Sequence, residues 1–276
     1  MRGQCIAGGA AMARSGSEDT LARGSFVRVL RAEALKSRHG APVRLAIVLA
    51  LPFPLLAAFV ALSVPQFGLS YSPWNYWYAL LMPVSITLIA ATVANADARL
   101  GNHTLLSSGV PLHLAWGAKV AWCLALLLLS NLVVFAVYAV MSLVVPQGAA
   151  SMSAMLAVAL ALTVMGSWMI PATHFLTMRV GMLAGVFVPL AVQLALSLGW
   201  SVVPFWPACP PAATIVLPTA FLPVLPSGEP ASPGMALVES ISQGPDVALA
   251  LIVAAVLTAA LTAAGAVWLD RSEELR

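Results

Sequence analysis

The chain has 276 residues, 61% of them apolar and only 8% charged, with 13 basic and 10 acidic side chains. A soluble domain usually carries about 25% charged residues, so a soluble enzyme and a disordered chain are both excluded. A net charge of +3, spread along the chain rather than gathered into a patch, excludes a nucleic-acid binder as well. With a mean hydropathy of +0.95, the remaining class is an all-α polytopic membrane protein.

In chain order, residues 1–24 are rich in Gly, Ala, Ser and Arg and hold no long apolar run. They read as a disordered tail rather than a signal peptide, ahead of one folded unit over 25–276. Residues 25–38 place Phe26, Val29, Leu30 and Ala34 on one helical face and Arg28, Arg31 and Arg38 on the other. That pattern predicts an amphipathic helix lying along the membrane interface, its basic groups meeting anionic lipid.

Crossing about 30 Å of hydrocarbon takes about 20 apolar helical residues. The uncharged stretches at 45–64, 77–96, 120–145, 152–170, 180–200 and 247–269 predict six transmembrane helices. Pro52, Pro54, Pro83 and Pro189 fall inside them and are expected to bend them. Arg28, Arg31, Lys36, Arg38 and Arg44 precede the first span. Arg99 and Lys119 flank the second connection, Arg179 the fourth, and Arg271 and Arg276 follow the sixth span. The first, third and fifth connections hold no Lys or Arg. The positive-inside rule therefore puts both termini in the cytoplasm.

Trp74, Tyr76, Trp77 and Tyr78 begin the second span and read as an interfacial aromatic anchor. The connection 201–246 carries half of the 20 prolines, and its charges, Glu229, Glu239 and Asp246, are all acidic. Within it 214–224 is apolar but interrupted by Pro218 and Pro223, which predicts a re-entrant or surface-lying segment buried against the bundle.

Chemistry-bearing motifs are few. No phosphate-binding loop, zinc-protease helix, nucleophile elbow or pair of intramembrane carboxylates occurs, so no catalytic residue and no metal site is assigned. Cys5, Cys123 and Cys209 fall at different levels of the membrane and read as unpaired thiols. His39, His103, His113 and His174 read as exposed cytosolic residues, and the sequon at Asn102 is discarded for the same cytosolic placement. Asn131, near the middle of the third span, and Gln193, in the fifth, are two amides inside spans. Interhelical hydrogen bonding is the first reading of both, and a wet substrate path the second.

A family resemblance lies in Ser72-Pro-Trp-Asn-Tyr-Trp-Tyr-Ala-Leu-Leu-Met-Pro83, Thr104-Leu-Leu-Ser-Ser-Gly-Val-Pro111 and Trp116-Gly-Ala-Lys119, with Arg31-Ala-Glu-Ala-Leu-Lys36 and Pro223-Val-Leu-Pro-Ser-Gly-Glu-Pro230 in support. Together these resemble the permease subunits of lantibiotic-immunity ABC transporters of the MutE/EpiE type, within the type-2 ABC exporter permease class. The likeness covers about residues 25–270, the Trp-Asn-Tyr-Trp-Tyr block being its most specific part. Around 97–102 the chain lacks the run of Lys and Glu typical of such relatives.

The resemblance implies no enzyme activity in this chain, with ATP and Mg held by a separate ABC ATPase subunit. It also implies a second homologous permease, a lantibiotic-like peptide expelled from the membrane, and a bacterial plasma-membrane location. ATPase coupling would then fall to the amphipathic 105–116 stretch, with Leu105, Leu106, Ser108, Pro111 and Trp116. Asn131, Gln193, Glu229, Glu239 and Asp246 would line the substrate path or the outer loop. A generic type-2 exporter for another drug or lipid is the alternative with the same architecture.

Overall fold

The computed structural model describes residues 26–38, 40–98, 111–232, 234–241 and 244–274. Among the described residues the chain is helical, without strands, and a lone antiparallel bridge joins Val224 to Pro230. Helix α1 covers 26–37 and is separated by a break from α2 (Ala41–Val48), which α3 (Pro52–Ser63) continues. Next come α4 (Ser72–Tyr76), a π-helical turn over Trp77–Leu81, and α5 (Met82–Ala98). The long α6 (Leu112–Val144) is followed by α7 (Met152–Gly166), α8 (Met169–Arg179) and α9 (Met182–Leu198). Two short helices, α10 (Pro210–Val216) and α11 (Ala236–Ile241), lie in the long connection before α12 (Gly244–Glu274).

Five segments are long and apolar enough to cross a membrane: Ala41–Ser63, Ser72–Ala96, Leu112–Val144, Met152–Arg179 and Gly244–Arg271. The fifth expected span, 180–200, is represented by α9, with 17 residues. It is about 25 Å long, a little short of the hydrocarbon thickness of about 30 Å. The protein is thus an all-α, multi-pass membrane protein by the length and composition of its helices.

Several helices extend beyond their uncharged stretches. The second expected span starts five residues earlier, at Ser72 rather than 77, the third begins at Leu112 rather than 120, and the fourth runs on to Arg179 rather than 170. The cause is that Lys119, Thr173 and His174, which ended the apolar runs, are buried among neighbouring helices rather than exposed to water. An apolar count misses polar groups that are buried inside the bundle.

Helix interruptions follow the prolines. The first span breaks just before Pro52 and Pro54, and the second takes its π turn just before Pro83. The fourth breaks at Ser167 and Trp168. Pro171 accounts for this, because its ring clashes with the carbonyl four residues back, that of Ser167. The Ser167 hydroxyl then donates to the Val164 carbonyl at 2.7 Å and lies 2.6 Å from Thr258 Oγ1 of α12. Pro189, also expected to bend its span, sits within an unbroken α9.

Alternate connections gather at opposite ends. The Leu69 amide donates to the Gln147 carbonyl at 2.8 Å. The Ala150 amide donates to the Tyr71 hydroxyl at 2.7 Å, and Asn75 reaches the carbonyls of Leu225 and Pro226. The connections without Lys or Arg therefore meet at one end, hereafter the acidic end. At the other, basic end, α1 packs beside Lys119, and α6 beside the C-terminal part of α12. The Tyr71 phenol is pushed above its ordinary range by burial, against a smaller opposite pull from the Ala150 amide.

The core is aromatic at the acidic side. Trp74 stacks with Tyr71 and Tyr138, ring centroids 6.1 and 4.6 Å away. A smaller cluster joins α7, α10 and α12 through Met165, Ala213, Leu217, Ala250 and Ala254. Every residue from Pro210 to Thr219 is buried, so the apolar stretch of the long connection is folded back against the bundle. Small residues set the closest approaches. A methyl at Gly185 of α9 would overlap Thr177 Oγ1 and meet the Thr177 amide nitrogen at 2.9 Å and the Thr173 carbonyl at 3.0 Å. Backbone cannot yield as a side chain can, so Gly185→Ala is expected to push α8 and α9 apart. The expected cost is about 1–3 kcal/mol, read as a lower melting temperature of the detergent-purified protein.

Candidate functional site

The start of α6 at the basic end is the most densely connected polar feature. Pro111 caps this helix with an extended backbone and is exposed, whereas Trp116, one turn in, is 1% exposed. The Trp116 indole donates to the Thr262 carbonyl of α12 at 3.0 Å and lies flat against Gly265, where a Cβ would overlap its ring. Its ring centroid is 5.7 Å from that of His174 on α8. On the next turn Lys119 meets Glu33 of α1 at 3.4 Å, and Lys36 meets the other Glu33 oxygen at 2.9 Å. Beyond it, Cys123 Sγ lies 3.9 Å from His174 Nε2. Near the surface, His113 Nδ1 is 3.6 Å from Asp270.

The first turns of α6 therefore touch α1, α8 and α12 at once. Glu33 and Lys119 are both buried, and a carboxylate and an ammonium taken out of water stay charged only as a close pair. The pair fixes the orientation of α1: Phe26, Val29, Leu30 and Ala34 are half-buried with Glu33 and Ser37, while Val27, Arg28, Arg31 and Leu35 point away from the bundle. Of the expected coupling residues, Pro111 and Trp116 are thereby placed. Leu105, Leu106 and Ser108 lie outside the described residues.

Two amides tie helices together at deeper levels. Asn131 Oδ1 accepts from Trp77 Nε1 at 3.0 Å, and Asn131 Nδ2 donates to Thr163 Oγ1 at 3.0 Å. The Thr163 hydroxyl in turn donates to the Ala159 carbonyl at 2.9 Å. Three spans are joined by this chain. Gln193 is 1% exposed and donates to the Pro211 carbonyl at 3.4 Å, holding α10 against α9. Asn75 donates to Tyr78 at 2.8 Å and to the Leu225 and Pro226 carbonyls at 3.3 and 3.4 Å. It seats the turn containing Gly228, whose φ of 89° suits glycine.

The acidic residues of the long connection fall on separate pieces. Glu229 is exposed beside that turn, Glu239 is exposed in the first turn of α11, and Asp246 is partly exposed in the first turn of α12. At a helix N-terminus an acid also stabilises the helix dipole, which is a structural role for the last two.

Three readings change. Trp74, Trp77 and Tyr78 are fully buried and face the protein interior, so they are not an interfacial anchor; Tyr76, 45% exposed, is the one ring of the four that faces outward. Burying the larger rings removes more apolar surface, and the Trp77 N–H finds Asn131 inside. His174 is not an exposed cytosolic residue but is 1% exposed, enclosed by Trp116 and Cys123. The third is the Glu33–Lys119 pair, which sequence reasoning missed. Its signal was present: Glu33 interrupts the apolar face of α1, and Lys119 is the last charge before the 120–145 run. His39, His103 and Cys5 lie outside the described residues. Cys123 and Cys209 are free thiols, and among the described residues no three His, Cys, Asp or Glu groups are placed to hold a metal ion.

Comparison with protein-family models, with curated proteins and with solved structures returned no match to this chain.

Lys119→Met is expected to destabilise the protein by on the order of 3 kcal/mol, because Glu33 keeps only the half-exposed Lys36. The double variant Glu33→Gln with Lys119→Met should cost less than the sum of the two single changes. A double-mutant cycle on melting in detergent reads the coupling. For Asn131→Leu the expected loss is about 1–2 kcal/mol, since Trp77 and Thr163 both lose their partner.

Proposed function

We propose that the chain is the membrane-spanning permease subunit of an ABC exporter that confers self-immunity by expelling a lantibiotic-like antimicrobial peptide from the membrane. ATP and Mg belong to a separate ABC ATPase subunit, and a second homologous permease completes the pathway. On this reading all six helices cross the bacterial plasma membrane, α9 included, and both termini are cytoplasmic.

The observation that carries the proposal is the way α6 begins. A permease without an ATPase of its own must receive motion from a cytosolic partner and pass it to its spans. The connection between the second and third spans leads directly into Pro111, Trp116 and Lys119. Trp116 is keyed into the last span and the fourth span, and Lys119 into α1. Displacement of that connection would move α12 and α1 together rather than being absorbed in a loose joint. The separation of charge agrees with this orientation: basic residues surround the proposed docking end, while Glu229, Glu239 and Asp246 stand at the end where a cationic peptide would leave.

The test is co-purification with the ATPase and second permease, followed by ATP hydrolysis with candidate peptides. A cationic amphipathic peptide should stimulate hydrolysis, and Trp116→Ala should keep the complex assembled while lowering stimulation at least about fivefold. Stimulation by an uncharged drug or a lipid alone points to the generic exporter instead, and failure of any ATPase to associate overturns the proposal. Alanine at Glu229, Glu239 and Asp246 together should reduce peptide tolerance; unchanged tolerance removes these acids from the peptide path.

A further inference from the structure

The face of α1 that the sequence pattern assigned to lipid is turned the other way. Its apolar stripe packs on the bundle, with Phe26 Cε2 3.7 Å from the position a Cβ on Gly117 would take, and Glu33 is buried against Lys119. At about 100° per residue, Val27, Arg31, Leu35 and Arg38 form one stripe on the opposite side, with Arg28 at its edge. Val27 is 61% and Leu35 59% exposed, and Arg28, Arg31 and Arg38 are exposed beside them. Two large aliphatic side chains thus stand in the open among three arginines.

The depth of the helix narrows what can cover this stripe. Lys119 is the last formal charge before the uncharged 120–145 run, and Arg44 is the last before 45–64. A helix held on Glu33–Lys119 and joined to α2 by the short break at 38–40 therefore lies where hydrocarbon gives way to headgroups. At that level aliphatic tips reach acyl chains, while long cationic side chains rise to phosphates.

We propose that Val27, Arg31, Leu35 and Arg38 form a docking surface for anionic phospholipid, which fastens α1 to the leaflet at the basic end. The occupant is the bilayer itself. Guanidinium groups match phosphate geometry better than ammonium groups do. Among the described residues of α1, no acid lies on the stripe itself. The proposal rests on the membrane-spanning fold and does not depend on the export reading.

The full chain, purified in detergent, is titrated with phosphatidylglycerol or phosphatidylcholine, and bound lipid is counted by native mass spectrometry. Wild type should retain phosphatidylglycerol in preference to phosphatidylcholine. Arg31→Gln with Arg38→Gln should weaken phosphatidylglycerol binding by about thirtyfold, from roughly fivefold per basic residue. Arg31→Lys with Arg38→Lys should preserve most of it, and Val27→Ser with Leu35→Ser should weaken both lipids. Melting temperatures near that of wild type show that the variants remain folded, and the lysine variant keeps the comparison interpretable if the glutamine pair unfolds. Arg179→Gln, a basic residue at the same end but off the stripe, should leave binding unchanged. Equal retention by wild type and the glutamine pair overturns the proposal, as does an equal loss in Arg179→Gln. Loss of a protein partner from the glutamine pair with lipid binding intact assigns the stripe to that partner and overturns it as well.

Discussion

A polar group inside hydrocarbon has no water to turn to, so a partner on a neighbouring helix is favoured there. Much of the arrangement of this bundle follows from that preference. The Asn131 amide binds Trp77 on one side and Thr163 on the other, which sets the second, third and fourth spans side by side. Ser130 donates to the Ala46 carbonyl at 2.8 Å and fastens the first span to the same helix. Each of these bonds adds only modestly to stability. Their larger effect is to exclude rotations of one helix against another that apolar packing alone would tolerate.

The same preference governs where helices break. Proline removes an N–H and strands a carbonyl, and the chain answers differently at each site. At Pro83 the preceding turn widens to a π turn, and at Pro171 the helix stops and restarts, the stranded Ser167 carbonyl accepting from the Ile170 amide at 3.1 Å. The Pro-rich stretch after α9 is kept only because it is covered: Pro210 through Thr219 are buried, and Gln193 receives one of its carbonyls.

Charge is treated in the same way at the basic end. Glu33 and Lys119 are buried as an ion pair, with Lys36 on the other Glu33 oxygen, and the pair makes α1 part of the bundle rather than a free interfacial helix. Trp116, Lys119 and their partners then make one mechanical unit of α1, the start of α6 and the end of α12.

The all-helical class, the apolar character of the membrane-length helices and the grouping of basic residues were legible in the chain itself, because hydropathy and charge are properties of residues and not of contacts. So was the buried apolar stretch after α9, betrayed by prolines inside a run too short to cross. The facing of side chains was not legible. Trp74, Trp77 and Tyr78 have the composition of a headgroup belt yet point inward, and α1 turns its apolar stripe to protein instead of lipid. An amphipathic pattern states that two faces differ, not which surroundings each will meet. His174 and Lys119 show the same limit, since a polar residue reads as exposed until its partner is known. What the sequence by itself determined was which segments belong in a membrane and which end carries the positive charge. Which helix neighbours which, and which polar groups are buried, was decided only by the tertiary structure, because those depend on pairings between residues far apart in the chain.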